Sequence, residues 1–375
     1  MNEIVISGSG IFTPTDSISN EELVASFNHY VEQFNREHAE EIASGEIGPL
    51  EETSADFIVK VSGIKSRFVM NKSGILDPAI MSPRIKEYTD EGISCQAQMG
   101  EHAARIALRQ AGKTPEEVDA VLVACTQVQR PYPAIAIEIQ HLLGAGGFAL
   151  DMQAACSAMS FGIQTASDAI HRGHANCVLV ISPEICTARI RFRDRESHFL
   201  FGDAAAAIVV EKGASCQSRY AFEILGTKLH TQFSDAIRSN FGFFVQQIST
   251  WIPDSPDRFF SQNGQKVFKE IIPLASQFIK EHLSQLEIEI SDLKRLWLHQ
   301  ANARINRLIS KRVFGREVTR KESPIILDKY ANTSSAGAII AFHKYNDDLK
   351  IGDIGVLCSF GAGYSIGSVV LRKST

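Results

Sequence analysis

The sequence has little of what a disulfide scaffold or a metal cage needs. Its seven cysteines, an odd number, are spread over 375 residues with no CxxC pair and no Cys/His spacing of the zinc type. A reducing compartment is the natural setting, and neither a metal nor a disulfide framework is expected. No apolar run is long enough to cross a bilayer, and "MNEIVISGSG" opens as a strand rather than as a basic segment followed by an apolar one. The expectation is a cytoplasmic protein without membrane insertion. Positive charge is also short: 38 Lys and Arg against 43 Asp and Glu leave a net charge of -5, which argues against nucleic acid as the main partner. There is no Walker A motif. "SGSGIFTP" has a GxG but no third glycine at the required spacing and no helix behind it, so no dinucleotide site is expected.

What is present is ordinary for a globular enzyme, 44% hydrophobic and 22% charged, at a length that suggests two domain-sized units. The chain also resembles itself. "ALDMQAACSAMSFGIQ" (149–164) and "ILDKYANTSSAGAII" (326–340) match with one gap as an apolar strand, Leu-Asp, small residues and a small-residue helix start. "FGDAAAAIVVEK" (201–212) matches "FGAGYSIGSVVLRK" (360–373), "VDAVLVACT" (118–126) matches "LKRLWLHQA" (293–301), and "IVISGSGIFTP" (4–14) matches "FEILGTKLHT" (222–231). Four matches in one order imply two halves of one topology, 1–213 and 217–375. Alternating strands and helices imply an α/β fold with largely parallel sheets. Packed about a pseudo-dyad, equivalent strand ends would meet at the centre and bring Cys156, His299 and Asn332 together.

Two segments fall outside the repeat, about 20–50 and 72–92. The first begins with a capping box, Ser19 and Glu22, and carries Leu23, Phe27, Tyr30, Val31 and Phe34 at helical spacing. It reads as a surface helix facing the core, the other reading being a tunnel wall or a dimer contact. The second holds two prolines and reads as a long loop.

Cys156 sits where an apolar strand hands over to a helix closed by Gly173. Both the strand before it, "GGFAL", and "EEVDAVLVACT" read as buried. A cysteine among alanines is most often an inert small hydrophobe. A helix mouth changes that, because unpaired N–H groups and the dipole favour the thiolate, and Ala154, Ala155, Ser157 and Ala158 leave room for a substrate. Cys125 and Cys177 lie inside apolar runs and read as structural. His299 ends a buried strand and is followed by the small polar turn Gln300, Ala301, Asn302, which suits a site better than a core. Asn332 reads as an N-cap or, with the other two, as a donor beside a nucleophile. "SFGAGYSIG" (359–367) is a tight turn with a candidate oxyanion-binding N–H.

With these motifs the chain resembles the thiolase superfamily and, within it, β-ketoacyl-acyl-carrier-protein synthase III. "AACSAMSFG", "LFGDAAAAIVV", "HQANARI", "ANTSSAGA" and "SFGAGYSIGSVVLR" agree in order and spacing over nearly the whole chain. The resemblance implies a five-layered αβαβα fold and a homodimer. It implies that Cys156 takes an acyl group from acyl-CoA. His299 and Asn332 then hold the enolate formed when malonyl-carrier protein decarboxylates, and the backbone N–H groups of Cys156 and Ala362 hold the oxyanion. No cofactor is implied, acyl-CoA and malonyl-carrier protein being substrates.

Carried over residue by residue, Phe57 falls where an adenine-stacking tryptophan is usual, and Val61 where a stacking arginine is, so that contact looks lost unless Lys60 replaces it. Arg195, Asn302 and Arg304 match positions that meet CoA or phosphopantetheine. Arg304, Lys311 and Arg312 share a helix face suited to an acidic carrier protein, or simply to solvent. Tyr132 matches the residue that floors the partner's acyl pocket. The extra segments resemble the subgroup that primes with medium-chain acyl-CoA, making β-ketodecanoyl-carrier protein from an octanoyl primer. The alternatives are a relative that passes the Cys156 acyl group to another acceptor, and a non-catalytic subunit, against which the complete Cys156, His299, Asn332 set argues.

Overall fold

The computed structural model describes residues 3–85, 92–239 and 259–375. Its strands are β1 (Ile4–Phe12), β2 (Asp16–Ser19), β3 (Ser66–Val69), β4 (Ala120–Cys125), β5 (Phe148–Gln153), β6 (Cys177–Ile185) and β7 (Asp203–Lys212). After them come β8 (Phe222–Ser234), β9 (Ile237–Ser239), β10 (Phe260–Gln262), β11 (Leu293–Leu298), β12 (Ile354–Gly361) and β13 (Gly363–Lys373). Nine of them form one sheet in the order β11-β12-β13-β8-β1-β7-β6-β4-β5. Strands from residues 4–212 fill one side and strands from 222–373 the other. They meet where β1 pairs with β8 through Val5↔Glu223 and Ile6↔Phe222.

The helices are α1 (Asn20–Glu37), α2 (Ala39–Ser44), α3 (Ala55–Ser62), α4 (Lys72–Leu76), α5 (Cys95–Ala111), α6 (Ile135–Leu143), α7 (Ala158–His171), α8 (Gly264–Gln285), α9 (Ala303–Phe314), α10 (Leu327–Tyr330) and α11 (Ala336–Lys344). Three apolar clusters show how they layer. The small-residue faces of α7 and α11 lie at the centre against strands of both sides, for example Leu122 and Ala206 with Trp297 and Leu357. α5 and α6 cover the outer face of the first set of strands, and α8 and α9 that of the second. This is the five-layered αβαβα order. Covered on both faces, β4 and β6 are buried along their whole length and β7 up to Glu211, with apolar runs such as Val178–Ile181 and Ala204–Val210 instead of an alternating pattern.

The glycines of "SGSG" serve packing. A Cβ on Gly8 or Gly10 would fall 2.2 Å from the carbonyl oxygen of Ala107 or Ala103, so their absence lets α5 lie directly on β1.

The sheet is mixed rather than largely parallel: β1 pairs antiparallel with β7 and β8, β13 with β8 and β12, and β6 with β7, while β4 with β5 and β6 and β11 with β12 are parallel. Three local expectations are also corrected. β5 is half-exposed rather than buried, because it ends the sheet and has β4 as its only strand neighbour among the described residues. "ILDKY" forms α10 instead of a strand: the N–H groups of Ile326 and Leu327 both donate to Gln300 Oε1, a side-chain cap in place of a strand partner. The expected loop over 72–92 opens as helix α4, capped by the Asn71 side chain, and residues 86–91 lie outside the described residues. The capping box of α1 forms as read, between Ser19 and Glu22. Leu23, Phe27 and Val31 of α1 are buried in a fourth cluster with Phe199 and Phe201.

Candidate active site

β5 delivers the chain to Ala154. A single 3-10 turn, Ala155–Ser157, with Ala155 at φ 46, then leads into α7. The turn is pinned by Ser157 Oγ, which donates to the Ala154 carbonyl (2.8 Å) and lies within hydrogen-bond distance of the Ser365 hydroxyl (2.6 Å). Cys156 therefore sits just ahead of the helix, with part of its surface open to a cavity. The expected thiolate is not the resting form: burial pushes the thiol up to about 11, opposed by the Ser334 hydroxyl, which donates to Sγ across 3.4 Å. Removal from water outweighs the helix-mouth contribution, and the Glu184 carboxylate adds to it.

His299 follows β11, its N–H donating to the Cys358 carbonyl (2.9 Å) and its ring edge-on to Phe360 at 5.3 Å. Burial takes the ring down to about 4, with the Ser334 backbone as the opposing influence, so it is neutral at ordinary pH. Its Nδ1 makes no hydrogen bond among the described residues. The adjacent Gln300 is a brace rather than a site residue. It donates to the Leu298 carbonyl at 2.9 Å and accepts from Ile326 N–H at 2.9 Å.

Asn332 is no N-cap, since α11 starts four residues later with Ser335 before it. It bridges to Phe201, and its Oδ1 accepts from Ser334 N–H at 2.8 Å. That fixes the amide with Nδ2 left to donate elsewhere. Cys156, His299 and Asn332 all line one cavity of about 500 Å³, within the usual range for ligand pockets. Its walls are aromatic, among them Phe57, Phe199, Phe201, Phe260 and Phe268. α1 backs this wall, Phe27 stacking on His198 at 4.6 Å. The inserted helix is thus both core-facing and a buttress of the cavity.

Other candidates divide. Gly361, rather than Ala362, lines the cavity against Cys156; Ala362 follows it in the turn to β13. Phe57 and Val61 both line the cavity. Arg195 places its Cζ 4.9 Å from the Phe57 ring centroid. Asn302 caps α9 through its Oδ1 and donates to the Val61 carbonyl at 2.8 Å. Arg304 lies over Phe268 at the cavity rim. Lys311 is paired with Glu317 at 2.7 Å, a carboxylate that Arg307 also reaches, so this face is less positive than its sequence implies; Arg312 is exposed. Tyr132 is 82% exposed and is not a cavity residue. Sequence reading missed Ser334, 178 residues from Cys156. Its signal was confined to its place in "ANTSSAGA", two residues past Asn332.

The family model for 3-Oxoacyl-[acyl-carrier-protein (ACP)] synthase III matches residues 150–232, and the model for its C-terminal part matches 283–373. The chain is 52% identical, over 93% of its length and 99% of the relative's, to beta-ketodecanoyl-[acyl-carrier-protein] synthase of Pseudomonas aeruginosa. It is 30% identical to beta-ketoacyl-[acyl-carrier-protein] synthase III of Ehrlichia canis, over 99% of this chain and 100% of that one. The crystal structure of 3-oxoacyl-[acyl-carrier-protein] synthase III from Aquifex aeolicus superposes with a TM-score of 0.75 at 25% identity, covering 98% of this chain and 99% of that chain. With its nucleophile-bearing turn, its aromatic cavity and these likenesses together, the chain belongs to the 3-oxoacyl-[acyl-carrier-protein] synthase III family of acyl-transferring condensing enzymes.

Proposed function

We propose that the enzyme loads Cys156 with a medium-chain acyl group from acyl-CoA and condenses it with malonyl-carrier protein to a β-ketoacyl-carrier protein of fatty-acid biosynthesis. The observation that carries this reading is the convergence of Cys156, His299 and Asn332 in one cavity. In the first stage the Cys156 sulfur attacks the thioester carbonyl, a C–S bond to Cys156 forms and the C–S bond to CoA breaks. Phe57 with Arg195 above it offers a flat, cationic clasp at the mouth, and Asn302 and Arg304 line the same entrance. In the second stage malonyl-carrier protein loses CO₂, and its thioester oxygen takes up negative charge. Two neutral donors meet that charge: Asn332 Nδ2, freed by the bond at Oδ1, and His299 Nε2, with the unpartnered Nδ1 as the nitrogen without a proton. Neutral donors favour the transition state over the ground state, because the charge exists only there. The carbanion then attacks the acyl carbonyl on Cys156. The N–H groups of Cys156 and Ala362 are the proposed oxyanion donors, a role supported by the close seating of Gly361 on the Cys156 backbone. The reaction so written needs no metal or cofactor.

A medium-chain primer is supported by the β-ketodecanoyl product in the name of the Pseudomonas relative, which less the two-carbon malonyl unit leaves octanoyl. The apolar cavity is in keeping with it. The exposed basic side of α9, Arg304, Lys311 and Arg312, is the proposed seat of the carrier protein. A homodimer is proposed through β5, whose free edge exposes Phe148 and Leu150, with Tyr132 reaching into the partner. The cytoplasm is the proposed setting, on the seven free cysteines.

The test is intact-protein mass after mixing with acyl-CoAs of graded length. One adduct is expected on Cys156, fastest with octanoyl-CoA, and none in Cys156→Ala. His299→Ala should still acylate yet release no CO₂ from malonyl-carrier protein. Condensation retained in Cys156→Ala, or acylation without CO₂ release in the unaltered enzyme, would overturn the proposal.

A further inference from the structure

Behind the nucleophile lies a buried carboxylate that the reaction as written does not use. Glu184, near the end of β6, is fully buried. Its Oε1 accepts from Thr126 N–H (2.9 Å), Thr126 Oγ1 (3.1 Å) and Ser335 Oγ (2.7 Å), while Oε2 has no hydrogen-bond partner among the described residues. Thr126 Oγ1 in turn touches Ser334 Oγ, and Ser334 Oγ is the group bonded to Cys156 Sγ at 3.4 Å. Four groups from β6, the end of β4, the turn before α11 and the turn before α7 thus form an unbroken file from sulfur to carboxylate.

The geometry points to a proton relay: Glu184 accepts the Cys156 thiol proton through Ser334 and Thr126, and acts on the nucleophile from behind. Each hydroxyl has one hydrogen, so the file has two orientations. With a thiol and a carboxylate, S–H donates to Ser334, Ser334 to Thr126 and Thr126 to Glu184. When each hydrogen moves one step, the carboxyl donates to Thr126, Thr126 to Ser334 and Ser334 to the Cys156 thiolate, over the same contacts. The thiolate attacks the acyl-CoA carbonyl, CoA leaves as its thiolate, and the proton on Glu184 returns along the same hydroxyls to that departing sulfur. Atoms and charge balance with no outside acid. The relay rests on the acylation of Cys156 proposed above.

Glu184 is suited to both states. Burial raises its carboxyl to about 7 against the hydroxyl and N–H donors that lower it. The titratable groups that feel it are Cys125 at the end of β4, Cys156 before α7 and Cys186 after β6, all thiols held high by burial. Asp203 on β7 bears on Cys186. The negative charge of Glu184 itself works against a Cys156 thiolate. A relay and a merely electrostatic neighbour therefore predict opposite signs when the charge is removed.

The experiment compares the unaltered enzyme with Glu184→Gln, Thr126→Val and Thr126→Ser. Single-turnover acylation by octanoyl-CoA and alkylation by iodoacetamide are both followed by mass from about pH 6 to about pH 9.5. A relay predicts that Glu184→Gln and the isosteric Thr126→Val each slow acylation at neutral pH by about 10²-fold. The deficit should shrink as pH rises and hydroxide takes the proton, and Thr126→Ser should keep most of the rate. Equal or faster reaction of Cys156 in Glu184→Gln overturns the relay, as does an equal loss in Thr126→Val and Thr126→Ser. If Glu184→Gln does not fold, the two Thr126 variants decide alone. If no acyl-CoA labels the unaltered enzyme, the functional reading fails by itself, and the iodoacetamide profiles still decide the relay.

Discussion

Gly361 is seated on Cys156 so closely that a Cβ at 361 would lie 2.8 Å from the Cys156 Cβ and 2.9 Å from its backbone nitrogen. The contact joins the end of β12 to the turn ahead of α7 and sets how far the sulfur stands out from the cavity wall. Gly361→Ala is expected to push that turn aside. Overpacking of this kind costs about 1–3 kcal/mol, so a modestly lower melting temperature should accompany a much larger loss of Cys156 acylation. Stability and acylation falling in proportion would show that the contact matters to folding alone.

Arg195 covers the Phe57 ring at the cavity mouth. If the pair clasps the CoA end of the primer, Arg195→Ala should raise KM for acyl-CoA by about 2- to 5-fold, matching about 0.5–1 kcal/mol for an exposed cation–π contact. kcat should change little. Steady-state kinetics with octanoyl-CoA checks this, and a fall confined to kcat would place Arg195 elsewhere in the reaction.

The His299 ring, held down to about 4 by burial, should keep its NMR ring signals constant from pH 8 to pH 5. The sign for stability follows. Between its unfolded value near 6.5 and about 4, the unfolded chain binds a proton that the native ring refuses, so His299 makes the fold less stable as pH falls through that window. His299→Gln should therefore lose less melting temperature than the unaltered enzyme between pH 7 and pH 5. A ring that titrates near 6.5 contradicts the burial argument.

β5 presents an open strand edge with Phe148 42% and Leu150 39% exposed. For the proposed dimer through this edge, Leu150→Lys should lower the mass seen in light scattering from dimer to monomer, since a charge on a bare edge opposes strand pairing. Identical masses for the two would move the interface away from β5.

Much of this molecule is legible one segment at a time. The apolar runs of β4, β6 and β7, the capping box of α1 and the small-residue start of α7 are written in patterns a few residues wide, and local sterics and hydrogen bonding suffice to form them. The motifs around Cys156, His299 and Asn332 are equally local, as is the lack of a glycine pattern for a dinucleotide.

Position in the whole decided the rest. β5 opens with the apolar run Phe148–Leu150, yet it is half-exposed because no further strand lies beyond it among the described residues, and sheet order is not a property of a segment. "ILDKY" opens with two strand-like residues but becomes α10, its first N–H groups held by the Gln300 side chain from a remote turn. The Cys156 thiol has a helix behind it, as its sequence indicates, but its ionisation is governed by burial and by Ser334 and Glu184, which come from remote parts of the chain. Propensity and pattern act over neighbours in sequence; desolvation and hydrogen-bond partnership depend on neighbours in space, and only the folded chain supplies those.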